Sequence, residues 1–185
     1  NGHAIPGKTF TWASSSGSIA TVGASGLVTA VANGAATISA AADGKADSTD
    51  VTVAQVLATV AVTPAAPSLA ALGATVQLTA AARDANGHAI GGKSFTWASA
   101  DEAVATVSTS GLVTAVANGT AGITATTEGV AGSAALTVAQ RAATVVLSPA
   151  GASVAGVGAT QQFTVAAKDA GGAPIPAPGV HATWT

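Results

Sequence analysis

The sequence predicts an all-β chain of tandem antiparallel β-sandwiches, one complete and two partial. Three observations carry this: side chains that alternate with period two, a repeat 85 residues long, and turn-forming pairs at short intervals. The repeat is the dominant feature. "FTWAS" at Phe10–Ser14 returns at Phe95–Ser99, and "SGLVTAVANG" at Ser25–Gly34 returns at Ser110–Gly119, each 85 positions later. "VTVAQ" at Val51–Gln55 is answered at the same offset by "LTVAQ" at Leu136–Gln140. A period of this size marks one structural unit used again and is read before local detail.

A third copy follows Gln140. "SPAGASVAGVGATQQFTVAAKDAGG" (Ser148–Gly172) parallels "TPAAPSLAALGATVQLTAAARDANG" (Thr63–Gly87), and an insert, "APIPAPG", brings Trp184 two residues late. The expected division is therefore 1–55, the C-terminal part of one repeat; 56–140, a complete repeat; and 141–185, the N-terminal part of a third. Beginning and ending in mid-repeat, without an initiator Met, the chain reads as a fragment of a longer array. Its two partial ends are expected to complement one another head to tail between molecules, because unpaired strand edges invite pairing.

Within the complete repeat each element follows from the pattern. "ATVQLTAAA" (Ala74–Ala82) puts Val76, Leu78 and Ala80 on one face, and Phe95 and Trp97 share a face in "SFTWA". The short runs "ATV", "GLVTAV", "AGITAT" and "AALTV" come next, punctuated by Ser110-Gly111, Asn118-Gly119 and Glu128-Gly129. Such pairs suit turns that need positive φ. Seven or so strands in 85 residues fit a two-layer sandwich. Alanine is abundant and favours helix, but Thr, Val and Gly interrupt every run, so strand is expected throughout.

Composition narrows the function classes. Charged residues are 8% of the chain and the net charge is −2, which leaves no basic footprint for nucleic acid or anionic lipid. The longest weakly polar run, from Gln55 to Ala82, is broken by Pro64, Pro67 and Gly73, so no membrane insertion is expected. There is no cysteine, which excludes disulfides and thiolate metal sites.

One motif demands a decision. "GHAIGGKS" (Gly87–Ser94) and "GHAIPGKT" (Gly2–Thr9) both fit the phosphate-cradling pattern G-x-x-x-x-G-K-[ST]. That cradle works when a strand feeds a glycine-rich turn that opens a helix. Here a strand pattern follows Ser94, a turn precedes Gly87, and the third copy has lost the lysine. No nucleotide is expected; Lys93 is read as a solvated residue on a connection. His3, His88 and His181 stand one to a repeat with few acids nearby, so no metal site is expected. Asp84-Ala-Asn86-Gly87 opens like a calcium loop but lacks the later oxygen ligands, so it is read as a turn. Asp101-Glu102 is the one adjacent acid pair, and neighbours on a strand or turn point apart. No Ser nucleophile elbow stands with a matching Asp and His. No catalytic residue or cofactor is expected.

The train "VTP…LGATVQLTA…WASADEAVATVSTSGLVTAVANGTAGITAT…GSAALTV" resembles the bacterial immunoglobulin-like group 2 family. The resemblance implies an immunoglobulin-like sandwich in tandem on bacterial secreted or surface proteins, located outside the cell or on its surface. Related domains occur in intimin- and invasin-like adhesins and in some secreted polysaccharide-degrading enzymes. The implied function is a non-catalytic spacer supporting cell adhesion, its partners being the neighbouring repeats. The alternatives are a module that binds a glycan or host surface protein through inter-strand loops, or an accessory domain of a secreted polysaccharide-degrading enzyme. Candidate loop contacts are Asp84, Asn86, His88, Lys93 and Asp101. The expected core comprises Trp12, Trp97, Trp184, Phe95, Leu112, Val113 and Ile123, with no disulfide for the tryptophans to pack against. The Ala-rich composition, a departure from the family, implies thin cores or a high-GC genome.

Overall fold

The computed structural model describes residues 7–176, and among them there is no helix. The chain divides into two compact units, Asn1–Val56 and Leu57–Thr185.

Among its described residues the first unit has five strands: β1 (Thr11–Ser14), β2 (Ala20–Val22), β3 (Val28–Ala30), β4 (Gly34–Ala42) and β5 (Lys45–Val53). β4 pairs antiparallel with both β1 and β5, and β2 pairs with β3. Ala20, Ala36 and Ile38 are buried.

The second unit opens with the complete repeat. Its strands are β6 (Thr59–Thr63), β7 (Ser68–Leu69), β8 (Thr75–Gln77), β9 (Thr79–Arg83), β10 (Ala89–Ile90), β11 (Thr96–Ser99), β12 (Ala105–Val107), β13 (Leu112–Ala115), β14 (Gly119–Thr127) and β15 (Val130–Val138). One sheet has the order β11-β14-β15-β7; facing it are β10-β9-β6 and β12-β13-β8. All pairings are antiparallel except β15 with β7. The longest ladder, β14 with β15, turns through Glu128-Gly129, both at positive φ (48° and 79°), as a two-residue hairpin of this twist requires. The third copy adds β16 (Thr144–Ser148), β17 (Thr164–Lys168) and β18 (Pro174–Ile175) in one antiparallel sheet.

The core lies between the sheets of the complete repeat. Ala121, Ile123 and Ala125 of β14 face inward with Ala134, Leu136 and Val138 of β15, while Thr120, Gly122, Thr124 and Thr126 face outward. Leu78, Val113, Ile123, Leu136 and Val138 are the largest fully buried side chains. The core is thin, as its alanines suggest. At Gly132 the two layers approach so closely that an added Cβ would lie within van der Waals overlap of the Val60 carbonyl.

Several expected core residues lie elsewhere. Val113 and Ile123 are fully buried, and Phe95 and Trp97 are half-buried against the core. Leu112 is 39% exposed and is not a core residue. Adjacent strand residues point to opposite faces, so Leu112 and Val113 cannot both face inward. Trp12 is 37% exposed, because among the described residues of the first unit no strands stand where β6, β8 and β9 stand in the complete repeat. Trp184 lies outside the described residues, as do His3 and His181.

Candidate functional site

Three places gather polar side chains. The first is the glycine–lysine segment. Lys93 Nζ lies 2.5 Å from Glu128 Oε1 at the tip of the β14–β15 hairpin. The pair recurs in the first unit, where Lys8 Nζ lies 2.5 Å from Asp43 Oδ2 on the β4–β5 tip. Gly92, Lys93, Ser94, Thr96, Thr126 and Glu128 line an open cleft of about 430 Å³ here. The chain after Ser94 enters strand β11, so no helix N-terminus faces the cleft, and its cation is already paired. The repeat of the motif is thus the repeat of an ion pair that ties a connection to a hairpin tip.

The second place is the β9–β10 turn. Asp84 Oδ1 accepts the N–H groups of Asn86 (3.0 Å) and His88 (2.9 Å), and the Arg83 guanidinium donates to the Gly87 carbonyl at 2.7 Å. His88 Nδ1 stands 3.5 Å from Asp84 Oδ2. This is an Asx turn, the side chain standing in for a backbone acceptor. Of the five candidate loop residues, Asp84, Asn86 and His88 meet in this one turn. Lys93 belongs to the cleft. Asp101 lies in the connection from β11 to β12, where its Oδ1 accepts Ala103 N–H at 3.0 Å. Among the described residues no three His, Asp or Glu side chains converge as metal ligands would.

The third place is the joint between the complete repeat and the third copy, and it centres on Asp169, only 2% exposed. Its Oδ1 accepts Gly171 N–H (3.0 Å) and Ala173 N–H (2.9 Å), making the same Asx turn between β17 and β18. Its Oδ2 reaches the complete repeat and accepts Leu72 N–H and the Gln140 side-chain amide, each at 2.8 Å. Gln140 is itself oriented by Asn118: its N–H donates to Asn118 Oδ1 at 2.8 Å, and Asn118 Nδ2 donates to its Oε1 at 2.9 Å. These donors hold the Asp169 carboxyl below its ordinary range, the Gln140 amide foremost and Leu72 N–H next, while burial opposes them. Sequence reading missed this cluster. The signal was present: Asn33, Gln55 and Asp84 stand 85 positions before Asn118, Gln140 and Asp169.

The sequence model of the family described as bacterial Ig-like domain (group 2) matches residues 3–53 and again 56–138. The chain belongs to this family. The sandwich of the complete repeat is the family's Ig-like fold. What matches is an Ig-like domain, not an enzyme family. Among proteins with known names, ice-binding protein 1 of Shewanella frigidimarina (strain NCIMB 400) is 36% identical over 143 residues, 76% of this chain. The match spans only 16% of that relative's length. Among solved structures, domains 1–6 of the surface layer protein SbsC align at 24% identity over 92% of this chain and 25% of that one, with a TM-score of 0.45. The Escherichia coli adhesin FdeC aligns at 21% identity over 89% of this chain and 62% of that one, with a TM-score of 0.47.

Proposed function

We propose that this chain is a non-catalytic spacer of a bacterial surface or secreted protein, dividing as 1–55, 56–140 and 141–185. Its role is to hold another module at a set distance, in support of adhesion. The observation that carries the reading is the way the chain leaves the complete repeat. Ala139 N–H donates to Leu69 O and Arg141 N–H to Ala70 O, both at 2.9 Å; Ala143 N–H then donates to Lys168 O at 2.8 Å. Within five residues, backbone-to-backbone bonds tie the connection twice to one repeat and once to the next. It contains no glycine and has no slack. A flexible tether would be glycine- or serine-rich and free of such bonds. The relative named for ice binding supports the reading, because the stretch it shares with this chain is a small part of its length.

Small-angle X-ray scattering tests the proposal. A single well-defined maximum dimension of the chain is expected. A broad distribution of dimensions refutes it. The polar cleft beside Lys93 favours a second reading, in which the same repeat binds a glycan. A glycan array probed with the chain and with a Lys93→Ala variant decides: binding lost in the variant supports this second reading, and no binding by either removes it.

A further inference from the structure

We propose that Asp169 is a latch that fixes the orientation of the third repeat on the complete one, through a recognition pair in which one repeat supplies donors and the next supplies a buried carboxylate. The inference deepens the spacer reading and rests on it for its purpose, while its geometry stands alone.

The two oxygens of Asp169 have separate tasks. Oδ1 closes the repeat's own turn on Gly171 and Ala173. Oδ2 crosses to Leu72 N–H and the Gln140 amide of the preceding repeat. Oδ1 satisfies both N–H donors of the turn, so the second oxygen, buried at the joint, is left to serve the neighbour. A buried carboxylate must keep its donors or pay a large desolvation penalty, so departure from this geometry is costly. An apolar contact would slide; this one accepts only the arrangement that aims two N–H groups at one oxygen. That direction-dependence is what a defined angle between repeats needs.

The donor side is prepared before the acceptor arrives. Asn118 holds Gln140 through both its backbone N–H and its side-chain oxygen, leaving the Gln140 amide nitrogen to point at Asp169 and, at 3.3 Å, at Pro174 O. The acceptor side is shaped too. Gly171 lies so close to the preceding repeat that a Cβ there would sit 2.8 Å from Leu72 O. Any larger residue forces the repeats apart. Neutral and backbone N–H donors fill Oδ2, so the latch works without a cation.

The chain has no cysteine, so two introduced ones carry spin labels at unique places. Ser133→Cys on the exposed face of β15 and Ala166→Cys on that of β17 report the angle between the repeats by pulsed electron–electron resonance. A narrow distance distribution is expected in the full chain, unchanged by a chelator. Asp169→Asn keeps size and shape but sets an amide against the Leu72 and Gln140 donors, and Gln140→Ala removes the side-chain donor to Oδ2 and to Pro174 O while leaving the turn's own Gly171 and Ala173 bonds in place. Each should at least double the width of the distribution while Trp97 fluorescence and far-ultraviolet dichroism stay unchanged. Widths equal to the parent's in both variants overturn the latch and leave the spacer reading standing. A broad parent distribution overturns both. Broadening by chelator alone also overturns the latch, because it would assign the junction to a cation.

Discussion

Gly111 carries two constraints at once, and separating them tests the packing of the complete repeat. Its φ is +82°, and an added Cβ would lie 2.7 Å from Leu78 O and 2.9 Å from two ring atoms of Trp97. Gly26 repeats both features in the first unit, at φ +82° and 2.7 Å from the ring of Trp12. Gly129 has nearly the same φ, +79°, but open space around its Cβ position. Replacement by alanine at a left-handed position costs about 1–2 kcal/mol. Forcing a methyl into a filled space adds about 1–3 kcal/mol. Gly129→Ala should therefore lose about 1–2 kcal/mol, and Gly111→Ala about 2–5 kcal/mol. The clash cannot be relieved cheaply. Leu78 O is backbone and already accepts the Gln77 side-chain amide at 2.7 Å, and Leu78 N–H is bonded to Gly111 O at 2.9 Å. Urea unfolding of the full chain, with Trp12 and Trp184 replaced by Phe so that Trp97 alone reports, measures both. With a slope near 1 kcal/mol per molar for a unit this small, the Gly111→Ala midpoint should fall by about 2 M or more. Equal losses at the two glycines would refute the placement of Trp97 over Gly111.

Other perturbations follow from the same structure. Ile123→Ala empties a fully buried site and should cost about 2–5 kcal/mol in the same urea assay, whereas Leu112→Ala, on the outer face, should cost under about 1 kcal/mol. Lys93→Ala removes a surface ion pair and should cost at most about 1 kcal/mol; titration calorimetry with ATP should show no tight association in either protein. The carboxyl of Asp169 is held below its unfolded value near 3.9, so its contribution is fully present above that pH and is lost as pH falls through the lower folded value. The distance distribution across the junction should stay narrow from neutral pH to about pH 4 and broaden below it; broadening already near pH 6 would mean another group controls the joint.

Much of the fold was legible because it depends on local alternation. Val76, Leu78 and Ala80 do face one way, and Glu128-Gly129 does turn a hairpin. The sequence failed where the answer depends on what lies opposite a strand. Leu112 and Val113 are both large and apolar, and only the sheet partner decides which is covered. Trp12 and Trp97 have the same neighbours in sequence yet differ in burial, since the covering layer comes from residues far away in the chain. The strand that follows the glycine–lysine motif was legible, but the acid partner of its lysine, 35 residues on, was not foreseen. The Asp169 joint escaped for a related reason. Each of its residues is an ordinary turn or strand-end residue by itself, and only the common offset of Asn118, Gln140 and Asp169 from their earlier counterparts marks them as a set.

Residual dipolar couplings of the backbone N–H groups in weakly aligned medium test the central claim most directly. If the complete repeat and the third copy are joined as a spacer, the couplings from 59–138 and from 144–175 fit one alignment tensor of a single magnitude and orientation. Two tensors of different magnitude would show repeats that turn independently, and would contradict the account.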